Sequence, residues 1–309
     1  IEVGSLDAAA EQLALAAEMV PDDIRLLDLR ADLLESRGRG EEALALRAEV
    51  IDREPSWTRL YRHAETAYDH GDPTAARQSL RRLLDRFPGN RWGIGLLALI
   101  EMESGDFERA AEFFGLLTEQ SSLASDLSNL GVVHLLRRDF DAAVEQFEQA
   151  LALQPDHLVD VLNLADAYQL GGRHELAAST YRRLLSALAD ASTIGWEDEM
   201  LRAQAHAHLG ARQDAVAAIQ RAIRSAPAAN GNLAFEAALV YVVVGDRTAA
   251  LVNAEAARQL GRSEHWFALP WFDPIRAELA ASMATDELDR PPVTADPAAD
   301  SASTLEDSR

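Results

Sequence analysis

Residues 124–157 read ASDLSNLGVVHLLRRDFDAAVEQFEQALALQPDH, and they contain two amphipathic helical patterns separated by a short turn. The i, i+3, i+4, i+7 spacing of one helix face is met in the first half by Leu127, Leu130, Gly131 and His134. In the second half the apolar stripe consists of Ala143, Phe147 and Ala150. Pro155 then ends the second helix, because proline cannot continue a helical hydrogen-bond ladder. The stretch therefore predicts a helical hairpin.

Three series of residues repeat this hairpin along the chain with a period of about 34 residues. The helix breakers between the two helices of each unit are Gly4, Gly38, Gly71, Gly105, Arg138 (in the place of a glycine), Gly172, Gly210 and Gly245. Alanines five residues after each breaker are Ala9, Ala43, Ala76, Ala110, Ala143, Ala177, Ala215 and Ala250. Prolines seventeen residues after a breaker are Pro21, Pro55, Pro88, Pro155 and Pro227. Their common register predicts a repeat array.

Each series has a physical role in a helical hairpin. Glycine at the end of the first helix turns the chain. The alanine lies where the two helices touch, and its small side chain lets them approach closely. We therefore expect an all-α chain of stacked antiparallel hairpins, with seven full helix pairs, a leading half-pair, a short terminal helix and no β-strand.

The units resemble the tetratricopeptide repeat family. The family pattern W-x2-L-G-x2-Y, A-x3-F and P is met by Leu127-x2-Leu130-Gly131-x2-His134, Ala143-x3-Phe147 and Pro155. The resemblance extends over roughly residues 1–262 and implies a right-handed α-solenoid. In this family the hairpins form binding surfaces for other proteins, so the resemblance also implies an interaction scaffold.

The two ends of the array predict further boundaries. If Gly4 is a turn, residues 1–20 form the second helix of a truncated repeat, and residues 21–263 form the solenoid. This would make the chain the C-terminal part of a longer protein, cut inside a repeat; a processed N-terminus with a frayed cap is the alternative. The sequence after Thr285 is polar, acidic and Pro-rich without periodicity, so residues 285–309 are expected to be a disordered acidic tail.

Residues 264–284 are expected to cap the array. Asp273 and Pro274 suit the N-cap and first position of a helix, and Trp266, Trp271 and Phe272 are expected to cover the exposed apolar end of the solenoid. The stretch from Ala238 to Arg276 also resembles the C-terminal repeats of bacterial eukaryote-like Ser/Thr kinases and of some membrane-bound transcriptional activators. That resemblance implies an alternative function, a regulatory region whose catalytic domain lies upstream.

The segment Asp190–Glu199 (DASTIGWEDE) interrupts the period, since Gly172 and Gly210 are 38 residues apart. It is expected to be a lengthened loop between units. Trp196 in this loop is either a binding anchor or a side chain that fills the gap opened by the insertion.

The composition excludes several classes of function. The chain has 51 acidic residues, 29 basic residues that are all arginine, a net charge of −22 and no cysteine. Such a surface repels phosphate backbones, so a nucleic-acid partner is not expected, and direct membrane insertion is not expected either. Without lysine or cysteine there is no P-loop, Schiff base or thiolate chemistry. No catalytic motif, metal site or cofactor is predicted.

Residues of the first helices that miss the buried stripe are expected to line a concave groove. These candidate partner-binding residues are Tyr61, Arg62, Glu65, Tyr68, Trp92, Leu99, Asn129, Leu136, Asn163, Asp166, Phe235 and Glu236. Carboxylates beside aromatic anchors favour a protein or peptide partner that is basic or neutral and carries large apolar side chains. Asn129 and Asn163 occupy equivalent positions; in the resembled family an asparagine there often bonds a peptide backbone, although two ordinary polar residues on a wet face are the alternative.

Overall fold

The computed structural model describes residues 3–21, 23–121, 123–189, 195–228 and 230–281. These residues form fifteen α-helices and, near the end, two short 3-10 helices. The helices, in chain order, are α1 (Val3–Met19), α2 (Ile24–Ser36), α3 (Gly40–Arg53), α4 (Trp57–Asp69), α5 (Pro73–Arg86), α6 (Arg91–Glu103), α7 (Phe107–Gln120), α8 (Ala124–Leu136), α9 (Phe140–Leu153), α10 (Leu158–Leu170), α11 (His174–Ala189), α12 (Trp196–His208), α13 (Arg212–Ser225), α14 (Gly231–Val243) and α15 (Arg247–Gln259).

Seven antiparallel pairs run from α2/α3 to α14/α15, preceded by α1, as the period predicts. The two helices of each pair pack on each other, and each pair packs on the next. The even-numbered first helices also contact one another directly, as α4 does with α6 and α12 does with α14. The described residues contain no β-strand. The prediction of an all-α solenoid is confirmed.

The predicted turns are confirmed in their backbone conformation. Positive φ angles occur at Gly38, Gly71, Gly105, Gly172, Gly210 and Gly245, and the non-glycine residue in this series, Arg138, also has a positive φ of 62°. Asp106 illustrates how one residue joins the two helices at such a turn. Its backbone N–H donates to the carbonyl of Glu101 at 2.9 Å, and its Oδ1 accepts from the N–H of Arg109 at 3.2 Å. The first contact closes α6 and the second caps α7.

The contact alanines are fully buried in all seven complete pairs, at Ala43, Ala76, Ala110, Ala143, Ala177, Ala215 and Ala250. Ala9 is the exception, since it is exposed. The expectation of a turn at Gly4 is wrong, because α1 begins at Val3 and runs through that position. Among the described residues α1 packs mainly on α2, so Ala9 has no helix to contact.

The interruption between α11 and α12 is shorter than the sequence predicts. Residues 190–194 lie outside the described residues, but Trp196–Glu199 form the first turn of α12 and not a loop. The backbone N–H of Gly195 donates to Asp198 at 2.9 Å, which closes the start of the helix. Trp196 is partly buried against the main hydrophobic core, as expected of a side chain that fills a gap.

The expectation for residues 264–284 is corrected in two respects. Residues Glu264–Ala268 and Pro270–Ile275 form 3-10 helices, and the expected short terminal helix begins only after them, at 276–281, with residues 282–284 outside the described residues. Asp273 lies inside the second 3-10 helix and is not an N-cap; its carboxylate instead binds Arg276 and Arg138. The expected tail at 285–309 lies outside the described residues.

Candidate interaction surface

The even-numbered helices line the concave side of the solenoid, because they contact one another across successive pairs while the odd-numbered helices lie outside. On α6, Trp92, Leu99 and Glu103 share one face at the i, i+7, i+11 spacing. Glu103 accepts a hydrogen bond from residue 266, which lies 163 positions further along the chain. This contact joins α6 to a residue after α15 across the concave side, so Glu103 faces that side. Trp92 and Leu99 share the helix face of Glu103 and therefore face the concave side too.

The open part of this concave face lies on α4 and α6. Trp92 is 59% exposed, and its ring meets the Tyr61 ring edge-to-face with centroids 6.5 Å apart. The Tyr61 hydroxyl donates to Glu65 Oε1 at 3.3 Å, and burial together with the Glu65 charge raises the pKa of Tyr61 to about 12. Arg62 is exposed and is 2.7 Å from Asp32 of α2. The predicted residues of α4 and α6 are therefore brought together.

A second part of the concave face is covered by residues 263–275, termed here the C-terminal segment. Ser263 Oγ donates to the carbonyl of Glu103 at 2.8 Å, and Trp266 Nε1 donates to the Glu103 carboxylate at 3.0 Å. Further along, Arg138 Nη2 is 3.1 Å from Asp273 Oδ1. The segment thus crosses from α15 to the ends of α6 and α8.

Close packing at the α6–α7 turn also shows that the C-terminal segment passes over the end of α6. A Cβ atom at Gly105 would lie 2.6 Å from the His265 ring. Glycine is therefore required at this position twice over, for its positive φ of 81° and for the approach of the C-terminal segment.

Aromatic rings hold the C-terminal segment against α14. Phe235 contacts Phe267 and Phe272 with ring centroids 5.3 and 5.4 Å apart, and Phe272 is fully buried. The Arg262 guanidinium lies 3.9 Å from the centroid of the Trp266 ring, a cation–π contact. The expectation that Trp266, Trp271 and Phe272 cover the end of the solenoid is therefore corrected: they pack on its concave side.

The C-terminal segment changes the exposure of several predicted site residues. Leu136, Asp166 and Phe235 are buried, with 6%, 7% and 3% of their surface exposed. Leu99 is partly buried against the main core. Asn129 and Asn163 are both partly exposed. The structure therefore separates the twelve predicted residues into an open group of five on α4 and at Trp92 of α6, and a less accessible group of seven from Leu99 of α6 to Glu236 of α14.

A cavity of about 220 Å³ remains between the C-terminal segment and the first helices α8, α10, α12 and α14. Its lining includes five of the predicted residues, Leu136, Asn163, Asp166, Phe235 and Glu236. A second, shallower pocket of about 320 Å³ lies beside it, where Tyr68 and Glu103 face Arg262. Burial raises the pKa of Tyr68, and the charge of Glu103 acts in the same direction.

The two carboxyl groups of the cavity are held by neighbouring side chains. Asp166 Oδ1 accepts from the Tyr181 hydroxyl at 2.5 Å, and Glu236 Oε2 accepts from Gln204 Nε2 at 2.6 Å. Burial raises the pKa of Asp166 to about 7, opposed by the Tyr181 hydrogen bond, and burial raises the pKa of Glu236 to about 7. His208 lies behind them with Nε2 3.6 Å from Asp166 Oδ1, and burial lowers its pKa to about 4.

The described part of the chain contains no group of three or more His, Asp or Glu side chains placed to hold a metal ion. Within the same ranges, none of the helices combines the length and apolar character needed for a bilayer span.

Sequence reasoning missed Glu103 and Arg262, which anchor the C-terminal segment, and it gave the other two anchors, Arg138 and Trp266, different roles. One signal was present in the repeat. Arg138 stands where every other complete unit has glycine, and a non-glycine residue in the left-handed region is uncommon. The Arg138 side chain binds the C-terminal segment, and this contact explains why arginine occurs at a position that otherwise favours glycine.

Sequence profiles of the tetratricopeptide repeat match residues 67–130, 124–157 and 161–193. A tetratricopeptide repeat protein 8 of Caenorhabditis elegans is 25% identical over 180 residues, which make up 56% of this chain and 35% of that protein. The chain therefore matches about a third of the length of that relative.

Solved structures share the fold at low sequence identity. A tetratricopeptide repeat protein of Parabacteroides merdae has a TM-score of 0.63 at 16% identity and covers 81% of this chain and 98% of its own. The C-terminal part of a repeat-containing protein of Cytophaga hutchinsonii has a TM-score of 0.59 at 15% identity, covering 74% and 93%. Pseudomonas aeruginosa pilF has a TM-score of 0.51 at 18% identity, covering 66% and 92%. At such identities the similarity concerns the fold alone.

Proposed function

Because this chain belongs to the tetratricopeptide-repeat family, we propose that it is a non-catalytic scaffold that binds a protein or peptide on the concave face of its solenoid. The observation that carries this proposal is Trp92, which is 59% exposed on the concave side and braced by Tyr61. A large aromatic ring that is held in place yet open to solvent is the usual anchor of a protein interface.

The accessible part of the proposed surface consists of Tyr61, Arg62, Glu65, Tyr68 and Trp92. Its carboxylates, Glu65 and the nearby Asp69, add to a chain charge of −22. Electrostatic complementarity then favours a basic or neutral partner whose large apolar side chains pack against Tyr61 and Trp92.

The other proposed contacts lie from α6 onward, where the groove is narrowed by the C-terminal segment. They are Leu99, Asn129, Leu136, Asn163, Asp166, Phe235 and Glu236. A partner that enters from the open end would reach Leu99 and Asn129 first. We propose that the part of the partner bound in the groove is an extended or helical segment, since both forms fit a groove lined by parallel first helices.

The test is to isolate a partner by cross-linking to the purified chain and to measure its affinity for variants by calorimetry. Trp92→Ala is expected to weaken binding by roughly 2 kcal/mol, or about 30-fold in Kd. Phe87→Ala is the matched control, because Phe87 is also an exposed aromatic, 39% exposed, but lies at the end of a second helix. Loss of binding in Phe87→Ala with normal binding in Trp92→Ala would place the working surface on the convex side.

A further inference from the structure

The cavity beneath the C-terminal segment has an apolar lining with aromatic rings at one side. Leu136, Leu162 and Leu239 of the first helices line it, and Trp266 and Trp271 of the C-terminal segment line it opposite. Its volume of about 220 Å³ equals that of roughly seven waters in the liquid. A molecule of about seven or eight non-hydrogen atoms would fill this space.

Two carboxyl groups face this apolar space with one oxygen of each unused by the protein. Asp166 uses Oδ1 to accept from Tyr181, and Glu236 uses Oε2 to accept from Gln204. Asp166 Oδ2 and Glu236 Oε1 accept no hydrogen bond from any residue that the structure describes. The Asp166 side chain is only 10% exposed and lines the cavity together with Glu236, so the two unused oxygens are acceptors for a donor that enters the cavity.

Arg262, the cationic side chain that lines the cavity, lowers the pKa of Glu236 through its charge but donates no hydrogen bond to either carboxyl group. Its guanidinium stacks on Trp266 at 3.9 Å and donates to Asn232 Oδ1 at 2.9 Å. His208, behind Asp166, stacks on Tyr181 with centroids 4.9 Å apart and is neutral near pH 7 because burial lowers its pKa to about 4. Two carboxyl groups in the cavity thus lack a hydrogen-bonded cation among the described residues.

We propose that this cavity binds a small organic cation, in which an ammonium or guanidinium group meets Asp166 and Glu236 and a short apolar body fills the space against Leu136, Leu162 and the two Trp rings. The free oxygens supply charge-assisted acceptors. The indole rings stabilise a nearby cation through their π faces. Leu136, Asp166 and Glu236 are also among the proposed partner contacts, but Trp92 and Tyr61 do not line the cavity, so Trp92→Ala tests the scaffold role without altering this site.

A proton balance distinguishes this site from a merely apolar one. Burial raises the pKa of both carboxyl groups to about 7 in the free protein, and the charge of Glu236 adds to the effect on Asp166, so near that pH the pair retains protons that ordinary carboxylates have lost. A bound cation favours the ionised form and lowers both pKa values. Binding at pH 7 should therefore release protons. The other titratable groups that face these carboxyls do not take them up, because Tyr181 and Arg262 already hold their protons and a bound cation disfavours protonation of His208.

The experiment measures binding of n-hexylamine, 1-hexanol and hexanoate to the full chain by calorimetry and thermal shift. We expect hexylamine to bind and to raise Tm, hexanol to bind at least 10-fold more weakly, and hexanoate not to bind. The heat of hexylamine binding at pH 7 should change with the ionisation enthalpy of the buffer. Equal affinities for hexylamine and hexanol, or no binding of hexylamine, would overturn the proposal.

Variants locate the site. Glu236→Gln keeps an acceptor for Gln204 and should reduce hexylamine affinity about 10-fold or more, with Asp166→Asn as a second variant should the first fold poorly. Glu65→Gln, at a carboxyl group on the open part of the concave face, is the matched control and should bind as wild type does. Unchanged affinity in both Glu236→Gln and Asp166→Asn would refute the assignment. Trp92→Ala should leave hexylamine binding unchanged, which separates this test from that of the scaffold role.

The cation has two possible sources, a free amine or the side chain of a partner. Competition of the peptide Ac-Gly-Lys-Gly-NH2 with hexylamine would indicate that a partner's lysine enters the cavity. Binding of hexylamine without such competition would indicate a free amine. Both results support a cation site.

Discussion

Trp266 Nε1 lies 3.0 Å from each carboxylate oxygen of Glu103, although the two residues are 163 positions apart in the chain. This contact ties the end of α6 to the segment that follows α15. A tetratricopeptide array has mainly nearest-neighbour contacts, and this one adds a link across its concave side. The link narrows the groove, and it holds Trp266 at the edge of the cavity that contains Asp166 and Glu236.

Trp266→Phe should loosen that link while it keeps most of the ring packing. Loss of a hydrogen bond to a charged acceptor costs about 1.5–3 kcal/mol when buried, and since Trp266 is only partly buried we expect about 1 kcal/mol in urea unfolding. Hydrogen exchange of residues 263–275 should accelerate more than that of α3. Unchanged exchange in the C-terminal segment would contradict the anchoring role of Trp266.

Arg138→Gly should relieve backbone strain and at the same time remove an ion pair. Glycine relieves the positive φ of 62°, a gain of about 1 kcal/mol. The lost pair with Asp273 is roughly half exposed on both sides and is worth less than about 1 kcal/mol. Global stability should therefore be unchanged or slightly higher, while amide exchange in residues 268–275 becomes faster. A loss above 2 kcal/mol would mean that Arg138 has a larger structural role.

Ala143→Phe should separate α8 from α9, because Ala143 is fully buried between them. Overpacking of this kind costs about 1–3 kcal/mol or more. In a one-dimensional stack the damage should appear in the adjacent pairs α6/α7 and α10/α11 before distant ones. Ala152→Phe, at an exposed position of the same helix, is the control. A uniform change of hydrogen exchange along the array would contradict the solenoid's nearest-neighbour coupling.

The contribution of Glu236 to the stability of the chain should fall as pH rises, while the lowered pKa of His208 acts in the opposite direction. The pKa of Glu236 is raised from 4.5 to about 7 in the folded protein, so the folded state binds more protons than the unfolded state between those values. The free energy of unfolding then decreases from about pH 4.5 to 7 by on the order of 3 kcal/mol for this group. Asp166 acts in the same direction.

Glu236→Gln removes this contribution and leaves that of His208. The free energy of unfolding at pH 8 minus that at pH 5, measured in urea, should therefore be more positive in the variant than in wild type. If the free energy of unfolding changed with pH in the same way in both proteins, Glu236 would have the same pKa in the folded and unfolded states, which would contradict this prediction.

The paired variant Asn129→Ala with Asn163→Ala should weaken partner binding without lowering Tm by more than about 1 °C, since both side chains are partly exposed and exposed substitutions usually change stability little. Calorimetry with the isolated partner and a thermal scan measure the two effects. Normal partner affinity would mean that these amides are ordinary polar residues. The resemblance to the repeat regions of Ser/Thr kinases stays a prediction that these variants do not address.

The sequence predicted the hairpins well because their determinants are local. Gly38, Ala43 and Pro55 lie within one unit, and each acts on a turn, a helix contact or a helix end that its near neighbours form. The same reasoning failed at Gly4 and Ala9, where the spacing is right but no preceding helix is present in the described residues. It also placed Trp196 in a loop, because a period disrupted by four residues does not say where the next helix begins.

The candidate site was predicted less completely. Periodicity placed Tyr61, Glu65 and Trp92 on the concave side, and the structure brings them together there. It could not reveal that Phe235 and Asp166 are buried, because their cover comes from residues 263–275 and not from the neighbouring unit. The aromatic density of that segment was visible, but its docking surface was not.

The sequence by itself determined the helices, their pairing and the side of the solenoid on which each first-helix residue lies, since 34-residue units pack by short-range contacts. Only the tertiary structure decided which part of the concave face is open, because the contacts of Glu103 with Trp266 and of Arg138 with Asp273 join residues more than 130 positions apart. Those distances depend on the accumulated curvature of the whole array, which no single unit encodes.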